Sequence, residues 1–417
     1  MSKPMGAIPA DYRAEGEMLL IGGRRADLLV DAAGGTPLFV YDLAIVRARV
    51  ARFRAAFPGI GLHYAIKANT YQPLLNEVAK LVDGLDVASQ GEMERALAAG
   101  TDGSDISFAG PGKRDCELAA AIDAGVTLNL ESEGEADRAL AIARSRGRRA
   151  RLAVRVNPDF EIRGSGMRMG GGAKPFGVDS ERVPALVRRI VEAGGDWRGF
   201  HIFAGSQALD ADALIEAQGA TVALAAALAE AAGAAPPLVN LGGGFGIPYF
   251  AGEKALDVER VAAALRTTLR NRPRILEGSG FAIELGRWLV GEAGVYLTRI
   301  VDRKTSHGKT FLVADGGMHH QLAASGNFGQ VVRRNYPVAI ANRFGFSGEG
   351  DAGSEEATIV GCLCTPLDRL GDDVILPRAG AGDLVAVFLA GAYGLSASPQ
   401  AFLGHPPALE MLVGKAD

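Results

Sequence analysis

The chain has 417 residues, too many for one small hydrophobic core, and this length predicts two domains or one large domain with an appendage. A formal net charge of −4, with both signs intermixed, excludes the basic footprint of a nucleic-acid-binding protein. The three cysteines form no disulfide framework and no uncharged apolar run reaches membrane-spanning length, so we expect a cytoplasmic protein without a membrane partner.

The N-terminal segment is predicted to be extended. Its first 18 residues have no apolar core after Lys3, so no secretory signal peptide is expected. The stretches MLLIGG (18–23) and RRADLLVDAAGGTPLFVYD (24–42) both have a strand-like composition. We expect this segment to join a β-rich domain.

Eight short apolar runs follow, and helical segments separate them. The runs are 62–67, 85–89, 106–110, 127–131, 151–157, 199–205, 238–244 and 281–286. Segments such as 73–82, 91–100, 114–125, 134–147 and 183–195 repeat apolar residues every three or four positions, which is typical of helices. Alternating strands and helices predict a parallel sheet, and eight strands favour a (β/α)8 barrel over residues 41–286. A doubly wound open sheet is the alternative.

The pattern changes after about residue 287. The stretches 288–317 and 356–388 indicate strands joined by tight turns, without a long amphipathic helix. The sequence therefore predicts a second, β-rich domain formed by residues 1–40 and 287–417. Residues 344–355 are rich in glycine and polar residues and are predicted to be a mobile loop.

In a barrel of this kind the chemistry lies at the carboxyl ends of the strands. Each apolar run should therefore bring its last residues to one common opening. The residues expected there are Lys67, Asp86, Ser89, Arg155, Asn157, His201, Ser206, Gly242, Gly243, Gly244, Glu284 and Arg287.

Four of these features fit one cofactor. A lysine amine such as Lys67 can form a Schiff base with an aldehyde. Three successive glycines expose backbone N–H groups to a phosphate. A carboxylate such as Glu284 can keep a pyridine nitrogen protonated, and the imidazole of His201 can lie flat against the ring. Alone, each has an ordinary structural explanation, but together they indicate pyridoxal 5′-phosphate (PLP).

Several motifs then make a family resemblance specific. YAIKAN, GLDVASQGEMERALAAG, HIFAGSQ, LGGGFGIPY, ELGRWLVGEAG, CTPLD and GDLVAVFLAGAYGLS occur in the order found in fold-type III PLP decarboxylases. The chain most resembles the diaminopimelate/ornithine decarboxylase family over nearly its whole length. The resemblance implies an alanine-racemase-like barrel and a β-rich domain that includes the N-terminal segment.

The resemblance also implies a role for each matching residue. Lys67 would form the Schiff base, His201 would stack on the ring and Glu284 would pair with its nitrogen. Asp86 and Arg155 would support the cofactor and Lys67. The residues implied in phosphate binding are Ser206, Gly243, Gly244, Arg287 and Tyr393. Cys364 would reach the active site of a partner subunit, which implies a homodimer, and Asp368 resembles the acidic residue of the same loop.

The residues expected to bind the distal end of the substrate differ from those of diaminopimelate decarboxylases. Those enzymes have an arginine in an RPxLY motif, but with Pro337 kept in register Phe328 falls at its position. Arg333 and Arg334 lie nearby in sequence, and Thr365 replaces the acidic residue of CESGD. Losing these partners should disfavour a second zwitterionic centre, because an unpaired buried charge costs several kcal/mol. The same departures resemble a subgroup that acts on amino acids tethered to a carrier protein, including decarboxylases associated with polysaccharide-export (exosortase) systems.

We therefore expect PLP-dependent α-decarboxylation of an amino acid that is extended, neutral or bound to an acyl-carrier protein. Diaminopimelate decarboxylation is one alternative. Amino-acid racemisation is another, but it usually needs a tyrosine where this chain offers Cys364. A non-catalytic PLP carrier is a further alternative, which the long C-terminal region disfavours.

The remaining cysteine and histidine pairs have structural explanations at this stage. Cys362 and Cys364 could be small residues on one strand face or a weak metal pair, and no further ligands are evident near them. His319 and His320 are predicted to be loop residues near the active site. We therefore expect no metal site.

Overall fold

The computed structural model describes residues 2–162, 167–168, 171–328, 330, 333–345 and 353–414. The chain forms two compact units. One comprises Arg49–Ile247 and Ala255–Trp288, and the other comprises Met1–Ala48, Pro248–Lys254 and Leu289–Asp417. The sequence-based bounds, 41–286 against 1–40 and 287–417, stay a prediction.

Eight parallel strands close into a barrel in the first unit. They are β1 (Gly61–Ala65), β2 (Gly84–Val87), β3 (Ile106–Phe108), β4 (Thr127–Leu130), β5 (Arg151–Asn157), β6 (Asp196–Ile202), β7 (Leu238–Asn240) and β8 (Gly280–Leu285). Each strand pairs with the next in sequence, and β8 pairs with β1 to close the barrel. The predicted (β/α)8 barrel is confirmed, and the doubly wound open sheet is excluded.

Helices occupy the intervals that the apolar periodicity predicts. The helices around the barrel strands are Leu43–Ala56, Gln72–Val78, Gln90–Ala98, Asp115–Asp123, Glu133–Ser145, Val183–Glu192, Ala211–Ala232 and Val258–Arg270. In Val183–Glu192 the buried residues are Val183, Leu186, Val187 and Ile190, which form one stripe along the helix. Ser89 and Ser132 cap their helices by accepting hydrogen bonds from backbone N–H groups three residues later.

The helix Ala211–Ala232 is long and apolar enough to meet a composition test for crossing a membrane. Over half of its most apolar window is buried within the protein. Such burial is typical of a core helix in a folded domain.

The second unit is built mainly from β-strands, as predicted. Its main sheet contains Leu38–Asp42, Gly294–Ser306, Lys309–Ala314, Val338–Ile340, Ser354–Val360, Arg369–Pro377, Leu384–Val387 and Leu409–Val413. Leu38–Asp42 pairs with both Gly294–Ser306 and Leu409–Val413, so the N-terminal segment is integral to this sheet. Three short strands, Arg13–Glu15, Met18–Ile21 and Arg24–Arg25, form a separate small sheet.

One N-terminal expectation is wrong. Residues predicted to be strand form the helix Ala26–Ala33, which ends at Gly34 with a φ of 89°. Ala26, Leu29 and Val30 are its buried residues, spaced three and four apart as on one helix face. The short length of this segment hid its helical period. Residues 346–352 of the predicted mobile loop lie outside the described part of the chain.

Candidate active site

Lys67 lies just beyond the first barrel strand. Lys67 was predicted at the strand tip, but β1 ends two residues earlier, at Ala65, and Lys67 is in the single 3₁₀ turn Ile66–Ala68 that follows. Its side chain is exposed, and its Nζ atom lies 5.7 Å from the ring centroid of Phe203, which follows β6. The amine is therefore at the carboxyl end of the barrel, where chemistry occurs in this fold.

Glu284 and His201 form a buried pair inside the barrel. His201 Nε2 lies 2.8 Å from Glu284 Oε2, and Asn240 Nδ2 donates to the same oxygen at 3.4 Å. Burial raises the pKa of Glu284, but the charge and hydrogen bond of His201, together with Lys67 and Arg155, outweigh it and leave the pKa lowered. The Glu284 carboxylate is therefore ionised at neutral pH.

Arg155 is fixed by an acidic residue from the neighbouring strand end. Its Nη1 donates to Glu131 Oε1 at 2.9 Å, and both side chains are buried. Glu131 also accepts hydrogen bonds from the backbone N–H groups of Gly110 and Gly177. Because these hydrogen bonds satisfy the Glu131 carboxylate, the ion pair holds the Arg155 side chain in position at the barrel opening.

Asp86 faces a histidine on the adjacent strand. Asp86 Oδ1 lies 3.5 Å from His63 Nδ1, and both side chains are largely buried. Burial lowers the pKa of His63, but the charge and hydrogen bond of Asp86, with smaller contributions from Glu284 and Asp83, raise it overall. The pairing therefore favours the protonated form of His63.

The glycine run packs directly against β8. A Cβ atom on Gly243 would lie 1.7 Å from the Glu284 carbonyl oxygen. Gly244 has a φ of +82°, and a Cβ there would lie 2.4 Å from the Gly205 carbonyl oxygen. Asn240 Oδ1 accepts a hydrogen bond from Gly242 N at 2.9 Å and shapes the start of the run. Packing alone therefore requires glycine at 243 and 244.

Three buried polar atoms near these strand ends have no hydrogen-bond partner among the described residues. They are His201 Nδ1, Asp86 Oδ2 and Ser206 Oγ. Leaving a buried polar group unsatisfied costs roughly 1–3 kcal/mol. A bound group that offers hydrogen-bond donors and acceptors on a ring and on a phosphate would satisfy such atoms. PLP is such a group, so the residues present fit PLP.

The other predicted site residues lie in the β-rich unit, apart from Arg287. Arg287 belongs to the barrel unit, is half-buried and begins the short helix Arg287–Val290. Tyr393 is half-buried, and its ring centroid lies 6.4 Å from that of Phe328, which is 45% exposed. Cys364 is exposed and Thr365 half-buried.

Asp368 and Arg333 make contacts within the β-rich unit. Asp368 is buried and accepts hydrogen bonds from Met318 N at 2.6 Å and from Leu363 N at 2.9 Å. Arg333 donates to the carbonyl oxygen of Arg369. The predicted substrate contacts of both residues stay predictions.

Sequence reasoning missed two residues that organise the site. Asn240 joins the glycine run to Glu284, and Glu131 orients Arg155. Both carried a usable signal in the sequence. Asn240 lies two residues before the first glycine of the run, and Glu131 is the last residue of the apolar run 127–131.

This fold and this set of strand-end residues define a PLP-dependent barrel enzyme. The profile of the family described as "Pyridoxal-dependent decarboxylase, pyridoxal binding domain" matches residues 43–291, more than half of the chain. The chain therefore belongs to the pyridoxal-dependent decarboxylase family, and its activity is PLP-dependent decarboxylation of an amino acid.

The relatives include enzymes with different substrates. An L-glutamyl-[BtrI acyl-carrier protein] decarboxylase of Niallia circulans is 38% identical, with 90% of this chain and 88% of that protein covered. A diaminopimelate decarboxylase of Methanothermobacter thermautotrophicus is 32% identical, with 96% and 92% covered. The crystal structure of diaminopimelate decarboxylase from Helicobacter pylori complexed with L-lysine superposes with a TM-score of 0.80 at 27% identity, with 91% of each chain covered.

Proposed function

We propose that this enzyme removes the α-carboxylate of an amino acid whose distal end is attached to an acyl-carrier protein. The observation that carries this proposal is the 38% identity, across 90% of the chain, to a decarboxylase named for a carrier-bound glutamyl group. The predicted loss of the substrate-binding arginine and acidic residue, at Phe328 and Thr365, supports it.

The contacts of two nearby arginines also support this substrate class. Arg333 and Arg334 are the cations that could replace the missing arginine. Arg333 donates to the Arg369 carbonyl oxygen. Arg334 lies 3.1 Å from the Glu253 carboxylate, and its guanidinium is 3.7 Å from the centroid of the Phe250 ring. Both guanidinium groups therefore have at least one partner within the β-rich unit, and a distal substrate carboxylate would compete with those partners.

The side-chain positions support the catalytic roles that the resemblance implies. Bound PLP would supply an electron sink for the electron pair that remains on the α-carbon after CO2 leaves. Lys67 would attach the cofactor through its amine, and Glu284, ionised at neutral pH, would keep the pyridine nitrogen protonated. His201 would orient the cofactor ring. Lys67 or Cys364 would return a proton to the α-carbon.

The assembly and location are part of the proposal. A homodimer would let Cys364 of one subunit complete the active site of the other, in line with the exposure of this thiol. Three free cysteines are consistent with a reducing cytoplasm.

The test is CO2 release by the purified holoenzyme from matched substrates. These are free L-glutamate, free meso-diaminopimelate and a glutamyl thioester on the phosphopantetheine arm of an acyl-carrier protein. We expect a much higher kcat/KM with the carrier-bound substrate. Rapid turnover of free diaminopimelate would instead establish the alternative activity, and inversion at the α-carbon without CO2 release would establish a racemase.

A further inference from the structure

A second cluster of reactive side chains lies within the β-rich unit. His319, Cys362 and His405 each offer one ligand atom, and these atoms all lie within 4.8 Å of one another. Cys362 Sγ is 3.8 Å from His405 Nδ1 and 3.9 Å from Nε2. The expectation that no further ligands lie near Cys362 is therefore wrong, because folding brings in a histidine 43 residues away.

His319 is the unusual member of the cluster. The residue is fully buried, and neither of its ring nitrogens has a hydrogen-bond partner among the described residues. Its ring centroid lies 3.7 Å from that of His320 and 5.2 Å from that of His405. Buried polar atoms without partners are rare in folded proteins, and a bound water or ion is one way to satisfy them. In the neutral imidazole, the unprotonated nitrogen has a lone pair available for a ligand.

We propose that His319, Cys362 and His405 bind one divalent cation of the zinc class. Two imidazoles and a thiolate are the donors that Zn²⁺ prefers, whereas Mg²⁺ and Ca²⁺ prefer oxygen. With Zn–N near ~2.0 Å and Zn–S near ~2.3 Å, tetrahedral ligand atoms are about 3.3–3.7 Å apart. The Cys362–His405 separation nearly meets this requirement, and closing the cluster needs movements of about 1 Å. Three protein ligands leave a fourth position open.

Neighbouring residues fix the segments that carry the ligands. His320 Nδ1 is 3.1 Å from the Tyr296 hydroxyl and its Nε2 is 2.9 Å from the Pro406 carbonyl oxygen, next to His405. Asp368 accepts the N–H of Leu363, next to Cys362. In metal sites, hydrogen bonds around the ligands orient the side chains that bind the metal.

The experiment measures metal content rather than activity, so it is independent of the proposed decarboxylation. Full-length holoenzyme is incubated with Zn²⁺, desalted and analysed for bound zinc, with affinity obtained by competition against a chromophoric chelator. We expect one zinc per chain. Cys362→Ser and His405→Asn should each weaken binding by at least about tenfold. Cys116→Ser and His307→Asn, which change exposed residues outside the cluster, should bind zinc like the wild type.

Two results of the zinc measurements would overturn the proposal. One is a wild-type enzyme that retains no zinc, and the other is unchanged zinc affinity in folded Cys362→Ser and His405→Asn. Circular dichroism establishes that each variant is folded. If either variant fails to fold, Co²⁺ is added to the wild type instead. The proposal then requires a thiolate-to-cobalt absorption band, and this band must persist in Cys364→Ser. Loss of that band in Cys364→Ser would assign the metal to the other cysteine and also overturn the proposal.

Discussion

Lys67 is the residue on which the cofactor assignment first depends, because a single amine must form the covalent link to the aldehyde. Lys67→Ala should lose the absorption band of the protein-linked cofactor and lower kcat by at least about 10²-fold. Spectra of purified protein reconstituted with PLP measure this. Lys80→Ala is the control, since Lys80 is an exposed lysine of the same unit that pairs with Glu77 at 3.1 Å. A Lys67→Ala protein that keeps the band would refute the assigned role.

The His63–Asp86 pair makes a prediction about pH. Asp86 raises the pKa of His63 against the effect of burial, so Asp86→Asn should lower that pKa. In the wild type, the stability contributed by protonated His63 is present below its unfolded pKa of about 6.5 and is lost as the pH rises through the higher folded value. NMR titration of the histidine rings, with His63→Gln for assignment, measures both pKa values. An unchanged pKa in Asp86→Asn would show that Asp86 does not control this histidine.

The individual residues could be predicted to different extents. Lys67, His201 and Glu284 each lie within a predicted apolar run, so the order of the runs predicted that they share one barrel. The contact between His201 and Glu284 could not be predicted, because it joins residues 83 positions apart through the closure of the barrel. The His319–Cys362–His405 cluster was missed for the same reason.

At the scale of elements, the glycine run after β7 is tightly constrained by β8. Gly243→Ala should destabilise the protein by about 1–3 kcal/mol or more, because the new methyl group would overlap the Glu284 carbonyl oxygen. It should also reduce PLP retention. Urea unfolding and cofactor content measure the two effects.

Gly278→Ala provides the matched control for that substitution. No heavy atom lies within 4 Å of a Cβ built on Gly278, so its stability should change by less than about 0.5 kcal/mol. Equal effects of the two substitutions would show that close packing at Gly243 is not the cause.

The strands and most helices were predictable because each carries its own periodicity. Five of the barrel helices lie within a few residues of their predicted bounds, as in Val183–Glu192. Ala26–Ala33 was mistaken for strand because its eight residues contain little more than two turns, too few to separate the two periods.

At the scale of the whole molecule, a shared active site in a homodimer predicts complementation. Lys67→Ala and Cys364→Ala should each be inactive alone. Co-expressed, they should regain activity up to about a quarter of wild type, since half of the randomly formed dimers contain one intact site. CO2 release from the purified mixture measures this.

A non-complementing pair controls for simple mixing effects. Lys67 and Glu284 lie in the same barrel, so Lys67→Ala with Glu284→Ala leaves no intact site in any dimer. This pair should remain inactive. Inactivity of the Lys67→Ala and Cys364→Ala mixture as well would show that the two residues do not complete one site across subunits.

The sequence by itself determined the barrel, the cofactor class and which side chains to expect near the carboxyl ends of the barrel strands. Those features are local, because a run of apolar residues predicts a strand. The residues at the end of the run are then expected at the end of that strand. The tertiary structure decided which side chains pair, why Gly243 and Gly244 must lack side chains, and that His319, Cys362 and His405 meet. These depend on contacts between segments far apart in the chain, whose geometry follows from how the strands close and pack rather than from any local pattern.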